Sequence, residues 1–85
     1  MTALAKKKLG RPSDPEGCRL MGERVYLARH KRGLTQTDVA LLIGTHRNAV
    51  GLIEKGRNYP GHRLVPVLCR ALKVTPNYLY GWETT

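Results

Sequence analysis

Acidic residues are scarce in this chain. Six Asp and Glu stand against 15 Lys and Arg among 85 residues, a formal net charge of +9. No pair of carboxylates is spaced for acid–base work and no nucleophile has an activating base, so nothing points to an enzyme and no catalytic residue is nominated. Cysteine is almost as rare. Cys18 and Cys69 lie too far apart for a CxxC pair or a disulfide framework. His30, His46 and His62 are equally scattered, and no metal, cofactor or small-molecule site is expected. No stretch approaches the roughly 20 consecutive apolar residues that span a bilayer, and residues 1–12 lack the apolar core of a secretion signal. Phenylalanine is missing altogether, and three of the few aromatics, Tyr78, Tyr80 and Trp82, crowd into the last residues of the chain.

What is present is positive charge and short helical patterns. A chain of this length makes at most one domain and buries only about 60 to 65% of its unfolded surface, so its core must be compact. The cationic excess marks a partner of opposite charge, either nucleic acid or an anionic membrane. A membrane-surface role requires a wide apolar face beside the lysines, whereas the apolar residues here are needed for the core. The expectation is a soluble, cytoplasmic, nucleoid-associated protein.

Residues 1–19 read as a flexible basic arm, with Lys6, Lys7, Lys8 and Arg11 among Gly10, Pro12, Pro15 and Gly17. Residues 20–85 form the domain. Met21, Val25 and Ala28 share one face of a first helix that stops at Gly33. Thr35 is placed to cap a second helix, with Asp38 at the capping-box position and Val39, Ala40 and Ile43 facing inward before Gly44. Thr45 is placed to cap a third helix, with Val50 and Ile53 inside and Gly56 at its end. After a loop over residues 57–62 comes a fourth helix carrying Leu64, Val65, Leu68, Cys69, Ala71 and Leu72. Pro66 fits there only in the first turn, where its missing N–H costs no bond. Thr75 and Pro76 cap and begin a short fifth helix running to Gly81. The fold class is all-α, a compact five-helix domain behind the basic arm.

Only Gly44 and Thr45 separate the second and third helices, and so tight a turn makes them cross steeply and leaves the later one exposed along one side. The ordered series Gln36, Ala40, Gly44 and Val50 resembles the helix-turn-helix of the lambda-repressor-like family, also called the Cro/repressor or Xre type. The likeness runs over residues 22–83, including Gly33-Leu34-Thr35-Gln36 before the motif and Ile53-Glu54-Lys55-Gly56 after it.

The resemblance implies that the third helix enters the major groove of double-stranded DNA while the second crosses the phosphate backbone. With Val50 and Ile53 turned inward, Arg47, Asn48, Gly51, Leu52 and Lys55 occupy the outer half of the third helix. Arg47 is then suited to guanine, Asn48 to adenine and Leu52 to a thymine methyl. The plainer alternatives are that Arg47 solvates the helix and Leu52 caps the core edge. Gly51 either admits a close approach of the DNA or is simply a tolerated residue. The resemblance also implies that Gln36 holds a phosphate and braces Arg47 through its side-chain oxygen, that Arg29 pairs with Glu54 near the DNA backbone, and that Arg57, Asn58 and Arg63 form a second phosphate clamp. Arg29, Lys55 and His46 are further candidates for phosphate, His46 being as well suited to an ordinary surface position.

In the arm, Gly10-Arg11-Pro12 after the lysine run resembles AT-hook segments and minor-groove arms, although Leu9 stands where a second basic residue is usual. Arg11 either enters a narrow A·T-rich groove or belongs to a nonspecifically attracted tail. Tyr78, Tyr80 and Trp82 mark a candidate homodimer interface or, alternatively, seal the base of the core. The sequence thus reads as a phage or bacterial repressor that binds a palindromic operator as a dimer. The rival is an antitoxin-type autoregulator that also binds a protein partner, for which the chain offers little apolar tail. RNA binding is disfavoured because the outer face of the third helix has no aromatics.

Overall fold

A computed structural model of the chain describes residues 15–82, and these fold into five helices with no strand among them. The first, α1 (Pro15–Lys31), starts on a proline, has Glu16 in its first turn, and carries Arg29, His30 and Lys31 in its last. That order of charge suits the helix dipole. Residues 15–19 are therefore helical, although composition assigned them to the arm. Arg19 reaches Glu16 at 3.5 Å and Glu23 at 3.0 Å along the same face, a local pairing that supports the early turns.

Helix α2 (Gln36–Ile43) opens with the expected capping box. The Asp38 N–H donates to Thr35 Oγ1 at 3.0 Å and the Thr35 N–H donates to Asp38 Oδ2 at 2.9 Å, which satisfies two otherwise orphaned donors. Gly44 closes the helix at φ 76°, a left-handed conformation that favours glycine, and Gly44 and Thr45 both direct their N–H groups to Ala40 O. The closure takes up Thr45, so the next helix, α3 (Arg47–Glu54), is capped one residue later than its sequence suggests. His46 occupies the cap position and makes no side-chain capping bond.

Helix α4 (Leu64–Leu72) holds Pro66 in its first turn, and Arg32 from the end of α1 donates to Ala71 O at 2.6 Å near its last. Helix α5 (Pro76–Tyr80) begins as expected, with the Tyr78 N–H bonded to Thr75 Oγ1 at 3.1 Å, and ends on Gly81. No helix of the described residues is long and apolar enough to cross a membrane.

The core is almost wholly aliphatic. Met21, Val25 and Ala28 from α1 meet Val39, Ala40 and Ile43 from α2, Val50 and Ile53 from α3, and Val65, Leu68, Leu72 and Leu79 from the last two helices. Helix α3 packs on both α1 and α2, and α4 closes the other side of α2. The approach of α1 to α3 is unusually intimate: a Cβ on Gly22 would stand 2.3 Å from Ile53 O and 2.7 Å from Glu54 O. Glycine lets the two backbones touch there, which fixes where α3 lies.

Candidate nucleic-acid interface

Val50 and Ile53 are buried, so the period of the helix turns Arg47, Asn48, Leu52 and Lys55 outward. Together with Gln36 and Gly51 they line one shallow open concavity across α2 and α3. Leu52 is 42% exposed. Every residue nominated for base contact is thus brought to one surface.

Gln36 is held differently from expectation. Its Nε2 donates to Glu54 Oε1 at 3.0 Å, and its oxygen rests over Gly51, where a Cβ would lie 3.6 Å away. The brace runs to the end of α3 through Glu54 rather than to Arg47 at its beginning. The Gly51 contact is of ordinary length, so no contact among the described residues demands glycine at that position.

Arg29 is also placed otherwise than as an open phosphate ligand. It is only 8% exposed. Its Nε donates to Glu54 Oε2 at 2.6 Å, its Nη2 to Glu54 Oε1 at 3.0 Å and its Nη1 to Leu34 O at 2.9 Å. The hydrogen bond to Glu54 holds the guanidinium pKa above its ordinary value. Glu54 therefore accepts from α1 and α2 at once and ties both to the carboxyl end of α3.

The segment after α3 folds back on it, with the Arg57 and Asn58 N–H groups both directed to Leu52 O. Buried Pro60 and half-buried Tyr59 anchor this loop, and burial pushes the Tyr59 phenol up to about 12. Arg57, Asn58 and Arg63 are left exposed around the anchors, and His46 is exposed at the head of α3. The arm candidates Lys6, Lys7, Lys8 and Arg11 lie outside the described residues.

In the last helix, Tyr78 and Tyr80 pack partly against the core, with Arg24 5.0 Å over the Tyr78 ring. Trp82 is 57% exposed, its ring 5.2 Å from that of Tyr80. Sequence reasoning passed over His30 and Thr37, which share a second concavity with Gln36 and Arg47. The only signal for His30 was its place one residue after Arg29. Among the described residues no cluster of His, Cys, Asp or Glu is suited to a metal.

A family model described as a helix-turn-helix domain matches residues 20–79. Among solved structures, the chain is similar to the restriction-modification controller protein C.AhdI from Aeromonas hydrophila. The identity is 31% and the TM-score 0.69, over 73% of this chain and 94% of that one. It is also similar to the P22 c2 repressor, solved in complex with synthetic operator 9T in the presence of Tl+. There the identity is 29% and the TM-score 0.67, over 69% of this chain and 89% of that one. No curated protein matches the chain.

Proposed function

The chain belongs to the helix-turn-helix domain family, and we propose on that premise that it is a repressor binding a palindromic operator as a homodimer, with α3 in the major groove. The observation that carries this reading is the division of α3, whose inner side is buried while Arg47, Asn48, Leu52 and Lys55 project together from a chain of net charge +9.

In this reading Arg47 donates two hydrogen bonds to a guanine edge, Asn48 pairs with adenine, Leu52 meets a thymine methyl, and Gly51 lets the groove edge approach the helix. Gln36, Lys55, Arg57, Asn58, Arg63 and His46 meet phosphates, which fix register without reading sequence. Arg29, with its donors directed to Glu54 and Leu34, serves the phosphate surface as the group that holds Glu54 and Gln36 in place. Lys6, Lys7, Lys8 and Arg11 add charge along the duplex, with Arg11 in the minor groove.

One recognition helix reads only a few base pairs, too little to find a site among roughly 10⁶ or more competitors. Two copies on a twofold axis, with half-sites about 34 to 36 Å apart, double the information. Trp82 and Tyr80, with Tyr78 behind them, supply the contact between copies. In this reading the protein works in the cytoplasm, on the nucleoid. Selection of binding sites from random duplexes tests the reading: a dyad-symmetric consensus is expected, and a pool with no enrichment contradicts it.

A further inference from the structure

Beside the surface assigned to bases, a second open concavity lies between the end of α1 and the start of α2, with His30, Gln36, Thr37 and Arg47 among its walls. Among the described residues no carboxylate lines it. Arg29 borders it, but that charge is already matched by Glu54. Arg47 is assigned to a base edge, so His30 is the remaining basic group among the described lining residues that can answer an anion there.

His30 is exposed, yet its position is set. Its ring lies 4.2 Å from the Tyr26 ring, and its Nε2 is 3.5 Å from Arg29 Nη2. A ring packed in this way has lost part of its rotamer freedom before any ligand arrives, which lowers the cost of binding. The charged and titratable groups around it come from two helices. Tyr26 and Arg29 belong to α1, while α3 supplies Arg47 and, behind Arg29, Glu54. Helix α2 supplies only the neutral Gln36 and Thr37, because the Asp38 carboxylate is turned to the Thr35 N–H.

We infer that His30 is a ligand for a DNA backbone phosphate seated in this concavity, and that it holds the phosphate most tightly when its imidazole is charged. The inference rests on the DNA-binding reading above and adds a property to it. Affinity for the operator rises as the pH falls through the range in which histidines change charge, and His30 carries a separable share of that rise.

The test measures binding of the full chain to its selected duplex by fluorescence anisotropy, comparing wild type with His30→Gln at about pH 6 and about pH 8 over a series of salt concentrations. The variant is expected to bind roughly three- to tenfold more weakly than wild type at the lower pH and within about twofold of it at the higher. At the lower pH its salt slope is expected to be shallower by up to about 0.9, the loss of one phosphate contact. Equal affinities and slopes at both pH values overturn the inference and leave the DNA reading intact. A loss of the same size at both pH values with an unchanged slope also overturns it, since that pattern marks lost packing on Tyr26. If the wild type binds no duplex, the DNA reading and this inference fall together.

Discussion

Arg29 and Glu54, 25 residues apart in sequence, meet in a buried two-point ion pair at 2.6 and 3.0 Å, and the Glu54 oxygen at the longer distance also accepts from Gln36. Removing one member of such a pair strands the other charge away from water, at a cost of about 3 to 5 kcal/mol. Glu54→Ala should therefore lower the denaturation midpoint severely. The double substitution Arg29→Met with Glu54→Leu should recover most of that loss, because neither charge is then left alone. Chemical denaturation of the three proteins checks this, and a double variant no more stable than Glu54→Ala argues against the stranded charge as the cause.

Arg47→Ala should weaken binding to the selected site by about 1 to 3 kcal/mol and flatten preference at one base pair. Repeating the site selection with the variant separates this from a phosphate contact, whose loss lowers affinity at every site alike. A variant with its full base preference would falsify the assignment of Arg47 to a base.

Asp38 makes part of the stability pH-dependent. The Thr35 backbone N–H, and then the Thr35 hydroxyl, hold its carboxyl below the ordinary carboxylate value. A depressed folded value means that the contribution is fully present above the ordinary value and disappears as the pH falls through the lowered one. Melting curves recorded from neutral to strongly acidic pH should decline less on the acid side for Asp38→Asn than for wild type. Parallel declines rule the capping box out as a source of acid sensitivity.

Deleting residues 1–12 should weaken DNA binding and make its salt dependence shallower, since Lys6, Lys7, Lys8 and Arg11 no longer displace counterions. An additional loss confined to sites flanked by A·T pairs is expected from removal of Arg11 from the minor groove. Titrations at several ionic strengths decide the point, an unchanged slope excluding the arm from the complex.

Trp82→Ala should reduce self-association and separate two binding steps on a dyad-symmetric site. Because the exposed aromatic patch is small, the wild type should be a weak dimer in solution that closes on DNA by mass action. Mass measurement of the specific complex should give two chains per duplex. One chain per duplex, or a selected site without symmetry, refutes the dimer.

Those parts of the fold that rest on neighbouring residues were legible in the sequence. Thr35 with Asp38, Gly44 at its corner, and Thr75 before Pro76 each declare a helix end within a few positions, and the structure forms all three. The start of α1 was obscured because Gly17 looks like a breaker, whereas in the fold it is buried within the helix. The cap of α3 was displaced because the Thr45 N–H is drawn into closing α2, a competition that a residue count does not display. The outer row of α3 followed from period alone. The direction of the Gln36 amide did not, because it depends on Glu54, which only the packing of three helices brings within reach.

The backbone contact at Gly22 separates two evolutionary demands that α3 has to meet. Its seat is set by carbonyl oxygens of Ile53 and Glu54 lying against a residue with no side chain, and by ion pairing on the inner side. Neither involves Arg47, Asn48 or Leu52. Exchanging those three side chains therefore leaves the helix aimed as before, so the outward surface can be rewritten by a few substitutions on an unchanged mount. Gly22 has no such latitude: even alanine would push the backbones of α1 and α3 apart and tilt every outward residue together.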